Sequence, residues 1–310
     1  MALRSMRWSR FVRPLAVIAF AATLSAGGCN RSPGGLPKIE QAENKENGDK
    51  SASPVDGDKS DAGTVPVSTG VDDPLQVPFA KAVRTGDNPP SDVEPPPAKT
   101  VTGKSVYKLY QEVIHQWDAI RFTTGDGKKI VYTATIETAL GAIDIEMRPD
   151  LAPNHVRNFV ALARAGYYDG LFFDRIYHDE NVADPKERLD EIEAGCPLGT
   201  GDPGTGSIGY WLYPEFQPTE KVTHEEGTVG ACHGSAKDTA GCRFYITLCK
   251  FPNLDGNFTV FGKVTRGLDV ARKIFQQPVI ISPEDLDNSR RPEKPVVMQK
   301  VTIHTRELDR

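Results

Sequence analysis

One cation stands in an aromatic setting midway along the chain. Gly166–Ile176 reads Gly-Tyr-Tyr-Asp-Gly-Leu-Phe-Phe-Asp-Arg-Ile. A helical pattern runs into Gly166, and Tyr168-Asp169-Gly170 marks a turn. The apolar run Leu171-Phe172-Phe173 then delivers Arg175 between Asp174 and Ile176. Strand alternation predicts Phe173, Arg175 and Tyr177 on one face and Phe172, Asp174 and Ile176 on the other. A guanidinium stays charged and holds its donors in a planar fork, which suits it to fixed-geometry hydrogen bonding. The alternative is an ordinary strand with an exposed Arg.

Other reactive residues are few. Apart from Cys29 the cysteines are Cys196, Cys232, Cys242 and Cys249. Four cysteines allow three full pairings. Cys232 and Cys242 flank a Gly/Ser/Lys/Asp loop, and a disulfide between them is the pairing the spacing favours. His233 between them does not complete a usual zinc pattern, so no metal is expected. Cys196–Gly206 is Gly-rich but lacks the Gly-Lys-Ser/Thr ending of a phosphate loop.

The ends and composition set the context. The net charge of −5 shows no basic surplus to suggest a nucleic-acid partner. Arg4, Arg7, Arg10 and Arg13 precede the apolar run Leu15–Leu24, which is too short for a mature membrane span. Ser25-Ala26-Gly27-Gly28-Cys29 follows, so residues 1–29 read as a secretory signal. Small residues ending at a Cys resemble a bacterial lipobox, with Cys29 as the lipidated residue, although Ala26 stands where Leu is usual; the alternative is a plain signal peptide cut near Ala26. The expected location is the cell envelope, with the membrane contacted through the lipid anchor only.

Residues 30–100 are expected to be a disordered tether. Eleven of the 24 prolines fall here and Phe79 is its only aromatic, too little to offset the entropy of ordering. Residues 101–127 are expected to carry a helical extension: Val106, Leu109, Val113, Trp117 and Ile120 recur at three and four, with Ser105 as N-cap. Strands are predicted at Tyr132–Glu137 and Gly141–Met147, then a helix opened by Pro153, with Val156, Phe159, Val160 and Ala163 inward. Residues 178–192 look like an insertion with a short polar helix begun by Asp184-Pro185-Lys186-Glu187. Short strands are predicted at Thr228–Cys232, Arg243–Leu248, Phe258–Val264 and Val296–His304. A helix lies near Gly267–Phe275, with Leu268, Ala271 and Ile274 inward. Many short strands with two widely spaced helices fit a mainly β fold, a closed barrel with helical caps.

Four stretches, in order, resemble the cyclophilins, a family of peptidyl-prolyl cis-trans isomerases. They are Ala152–Phe159 (Ala-Pro-Asn-His-Val-Arg-Asn-Phe), Tyr167–Ile176, Gly195–Gly201 (Gly-Cys-Pro-Leu-Gly-Thr-Gly) and Leu254–Val264 (Leu-Asp-Gly-Asn-Phe-Thr-Val-Phe-Gly-Lys-Val). The resemblance implies an eight-stranded antiparallel barrel with two capping helices over residues 128–310, and a substrate groove on the barrel's outer face. It implies that Arg175 hydrogen-bonds a twisting X–Pro imide while an apolar pocket grips the ring. That bond turns over a barrier of ~18–20 kcal/mol. Bringing it to milliseconds takes about 5–7 kcal/mol of transition-state stabilisation. No cofactor, nucleophile or metal is required.

The implied pocket departs from the family's pattern. Gly241-Cys242-Arg243-Phe244-Tyr245-Ile246 stands for Gly-Ser-Gln-Phe-Phe-Ile, so Tyr245 replaces the pocket Phe and Arg243 a Gln. Glu193 replaces the Gln of Gln-Gly-Gly. Cys232-His233-Gly234 stands for the peptide-pairing Ala-Asn-Ala edge. Asn253 replaces a large aromatic, Phe258 a His, and Leu254 is retained. The usual Phe-Met pair is missing, and Leu189 or Ile192 of the insertion is the candidate replacement wall. The expected function is isomerisation of X–Pro bonds in exported polypeptides. The alternative is a module that binds proline-containing segments with little turnover.

Overall fold

The computed structural model describes residues 75–178, 188–202, 206–217, 222–280 and 289–309. The signal segment, Cys29, the tether up to residue 74 and the polar helix expected at 184–187 lie outside the described residues.

In chain order the elements begin with helix α1 (Phe79–Ala82), strand β1 (Val83–Thr85), helix α2 (Val106–Trp117), strands β2 (Lys129–Thr138) and β3 (Gly141–Met147) and helix α3 (Pro153–Arg164). Then come β4 (Phe173–His178), β5 (Asp190–Ala194), β6 (Tyr210–Leu212), β7 (Thr228–Ala231), β8 (Phe244–Thr247), β9 (Val260–Arg266), α4 (Leu268–Phe275), β10 (Val279–Ile280), β11 (Ser289–Pro292) and β12 (Lys300–Leu308).

The helices form where the periodicity places them. Ser105 caps α2, its Oγ accepting from the Lys108 N–H, and Val106, Leu109, Val113 and Trp117 are buried. Pro153 opens α3, where a missing N–H costs no intrahelical bond. Gly166 stops it with φ +69°, a left-handed conformation that a side chain would strain. On α4 the fully buried side chains are Val270, Ala271 and Ile274, while the expected Leu268 is only half-buried.

The main sheet has ten strands in the order β10-β11-β4-β5-β8-β7-β9-β3-β2-β12, with antiparallel neighbours throughout. β10 and β11 are short additions beyond β4. The other eight run from β4 to β12, and the segment leading into β12 meets the one leading into β4 at an antiparallel bridge between Phe172 and Val297. The core lies between the inner sheet face and α3, where Phe159 packs on Tyr168, Phe244 and Phe261 with ring centroids 4.9–5.6 Å apart.

The tether expected through residue 100 is corrected from residue 75 onward. Phe79, the lone aromatic of that stretch, packs edge-on against Trp117 at 5.2 Å and Tyr210 at 5.1 Å. Trp117 Nε1 donates to the Val77 carbonyl at 2.8 Å. β1 pairs with β6, Val83 opposite Leu212. Buried Arg157 donates to the Leu75 carbonyl at 3.1 Å and the Ile120 carbonyl at 3.1 Å, tying the segment and the end of α2 to α3. Low apolar content misled because one ring and a set of backbone acceptors meet partners far away in sequence.

Phe79→Ala is expected to cost about 2–3 kcal/mol, the low end for a packed Phe because the ring is half-buried. Urea denaturation of the full-length protein measures it. A change within ~0.5 kcal/mol, ordinary for a surface residue, would contradict the packing described.

Candidate active site

The site is assembled on one cross-strand row. Arg175 on β4 faces Glu193 on β5, Glu193 faces Tyr245 on β8, and Tyr245 faces Gly230 on β7. Gly230 is required because a Cβ there would run into the Tyr245 ring. The Tyr-Tyr-Asp-Gly turn braces the row. Tyr167 Oη donates to the Gly195 carbonyl at 2.8 Å, and Tyr168 Oη to the Cys242 carbonyl at 3.1 Å. Asp169 Oδ1 accepts from the Val301 N–H at 2.9 Å.

The β4–β5 ladder shifts register between Phe173 and Arg175. This bulge corrects the face assignment made from alternation. Phe173 turns into the core with Phe244, while Arg175 and Tyr177 line a pocket of about 230 Å³. Bulges re-aim side chains in this way next to functional sites.

Glu193, Cys232, His233, Arg243, Tyr245, Leu254 and Phe258 line the same pocket. Leu189 supplies a wall, as expected for one of the two insertion residues, whereas Ile192 points into the core. Two predicted residues fall outside. Phe244 is buried in the core, since it alternates with Tyr245 on β8. Asn253 is exposed on a 3₁₀ turn and does not reach the pocket. Sequence reasoning gave no role to Glu191 and underused Tyr177. Alternation with Glu193 and Arg175 was the signal for both.

The charges form a buried cluster. Arg243 pairs with Glu193 through Nη2 and Oε2, and lies 3.9 Å from Asp174 Oδ1. The other Glu193 oxygen is 3.9 Å from Arg175 Nη1. Asp174 Oδ2 accepts from the Cys196 N–H at 3.0 Å, yet burial pushes its pKa up to about 6 against the pull of Arg243.

The pocket floor rests on a hydrogen-bonded chain. Tyr245 Oη lies 2.8 Å from His224 Nε2, and His224 Nδ1 lies 2.6 Å from Asp255 Oδ1. Burial holds the His224 pKa below the usual histidine value, so the ring is neutral: Nδ1–H donates to Asp255 and Nε2 accepts from the tyrosine. The hydroxyl therefore points away from the pocket, and the floor presents an aromatic face. His233 stacks on Phe258 at 4.2 Å at the rim.

The expected disulfide is absent. Cys232 and Cys242 are both free, Cys232 facing the pocket with its Sγ 3.7 Å from Glu193 and Cys242 packed in the core. Burial raises the pKa of both thiols, that of Cys242 to about 12, which keeps them protonated and unreactive.

Residues 133–303 match the family model described as cyclophilin type peptidyl-prolyl cis-trans isomerase. The chain belongs to this family. Among curated relatives, the cyclophilin domain is 39% identical over 138 residues to peptidyl-prolyl cis-trans isomerase B of Bacillus subtilis, covering 44% of this chain and 86% of that one. It is 38% identical over 151 residues to the peptidyl-prolyl cis-trans isomerase of Helicobacter pylori, covering 48% and 83%. A longer Rhizopus delemar relative, peptidyl-prolyl cis-trans isomerase-like 2, is 31% identical over 213 residues, but the match spans only 36% of its length and 66% of this chain. A solved Cryptosporidium parvum cyclophilin overlaps 56% of this chain and 98% of its own at 26% identity and a TM-score of 0.45.

Within this cyclophilin, His224→Leu is expected to cost about 1–3 kcal/mol, because it strands the Tyr245 hydroxyl in an apolar setting. Adding Tyr245→Phe is expected to recover part of that loss. A double variant as unstable as the sum of the two singles would show that the Tyr245–His224 bond does not hold the floor.

Proposed function

We propose that this chain is an exported, lipid-anchored cyclophilin that isomerises X–Pro bonds in polypeptides outside the cytoplasm. The carrying observation is Arg175 on the same pocket face as Tyr245 and Leu254. A proline ring seated on the Tyr245 face puts its imide within reach of the guanidinium. Donation to the imide near the prolyl nitrogen weakens C–N conjugation, and so favours the twisted state over either planar isomer. Leu189, Leu254 and Phe258 keep water from the ring. No bond is made or broken, so electrostatic placement is the whole of the catalysis.

The eight strands from β4 to β12 are taken to close into a barrel. Phe173 N–H donates to the Val296 carbonyl at 3.0 Å and Met298 N–H to the Leu171 carbonyl at 2.7 Å, on either side of the Phe172–Val297 bridge. Export and the anchor rest on residues 1–29 of the sequence. A diacyl mass increment on Cys29 in protein isolated from membranes tests the anchor; an unmodified Cys29 would remove it.

One observation favours a second reading, a binding module with little turnover. The Glu193 carboxylate faces Arg175 and competes with an imide for its donors. A protease-coupled isomerisation assay on the full-length protein separates the two. The isomerase reading expects Arg175→Ala to lower kcat/KM by about 10²–10³-fold, the effect of losing one preorganised donor. Equal rates for both proteins, at the uncatalysed value, would leave the binding module.

A further inference from the structure

Glu191 lines the pocket near Leu189 and Tyr177 and is 8% exposed. Its Oε2 is buried with no hydrogen-bond partner among the described residues. A buried polar atom left this way is destabilising, so natural folds rarely keep one without a use. The neighbouring charges do not serve it. Glu193 and Asp174 both face Arg243, and Glu193 also faces Arg175. Among the described residues no ion pair reaches Glu191.

We propose that Glu191 is the counter-ion of a cationic subsite, so that the pocket prefers polypeptides carrying a Lys or Arg side chain next to the proline. This rests on the proline-binding reading above and adds a substrate class to it. Leu189 and the ring of Tyr177 offer apolar surface to the methylene stem of a long cation, whose head then meets the carboxylate.

Burial and the charge of Glu193 push the pKa of Glu191 well above the usual carboxylate value, against the pull of Arg175 and Arg243. The titratable and charged groups that face the pocket with it are Glu193 on its own strand, Arg175 and Tyr177 from β4, Arg243 and Tyr245 from β8, and Cys232 and His233 after β7. An arriving ammonium favours the ionised carboxylate, and the displaced proton leaves to solvent. Binding of a cationic peptide is therefore linked to proton release.

The test uses the full-length protein and two proline peptides that differ only in Lys or norleucine before the proline. Calorimetry in buffers of different ionisation heat at neutral pH counts protons, and the coupled assay follows isomerisation. The Lys peptide is expected to bind about tenfold tighter and to release up to about one proton, and the norleucine peptide to release none. Glu191→Gln, which keeps the side-chain shape, is expected to bring the affinity ratio to about one and to abolish the release. Equal affinities for wild type, or an unchanged preference in Glu191→Gln, would overturn the subsite. Preferential binding of the Lys peptide without turnover would keep the subsite and sink the isomerase reading. Equal binding with turnover of both would do the reverse. Binding of neither peptide would count against both.

Discussion

A carboxylate held between two guanidiniums governs the site. Glu193 from β5 pairs with Arg243 from β8 beneath the surface, and the Glu193 oxygen left over faces Arg175 on β4. Three adjacent strands thus contribute charges that have little water to share. Losing one partner of such a pair strands the other in a low dielectric, at a cost of about 3–5 kcal/mol. The cluster fixes the strands' relative placement, and with it the direction from which Arg175 meets a substrate. The family's usual glutamines would supply neutral hydrogen bonds at the two corresponding positions. Here an acid and a base have replaced them together, which preserves neutrality and makes each dependent on the other.

The apolar side of the pocket solves a related problem. A tyrosine in place of phenylalanine brings a hydroxyl that needs a partner when buried. His224 and Asp255 provide it from behind, at 2.8 Å and 2.6 Å along the chain of bonds, leaving the ring face to the pocket. Gly230 makes room for the ring. Polar substitutions are thus accommodated outside the volume a proline ring would fill. At the pocket's other end Leu189 lines the wall, and Glu191 brings a carboxyl whose Oε2 has no hydrogen-bond partner among the described residues.

Much of this was legible in the sequence, and the failures have physical causes. Local periodicity located β3, α2, α3 and α4, because each buries one face whose spacing the sequence records. The row from Arg175 to Tyr245 was readable residue by residue from the family resemblance. Phe173 was misplaced because a bulge breaks strand alternation, and no residue type announces one. Phe244 was assigned to the pocket because adjacent aromatics look alike until the strand's orientation is known. β5 and β6 are short and lie among insertion and loop residues, so their pairing is decided by neighbours distant in the chain. The same holds for residues 75–100, whose order depends on Arg157, Trp117 and Tyr210 rather than on their own composition.

Positioning of Arg175 by the Glu193–Arg243 pair is directly open to measurement. A double-mutant cycle on kcat/KM, with Glu193→Gln, Arg243→Gln and the double variant, measures this. Each single change takes from a buried charge its closest partner, leaving only a contact at 3.9 Å, and is expected to lower kcat/KM by about tenfold or more, whereas the double change restores neutral hydrogen bonding and is expected to recover at least about 1.4 kcal/mol of the combined loss. Single effects that simply multiply in the double variant would contradict it.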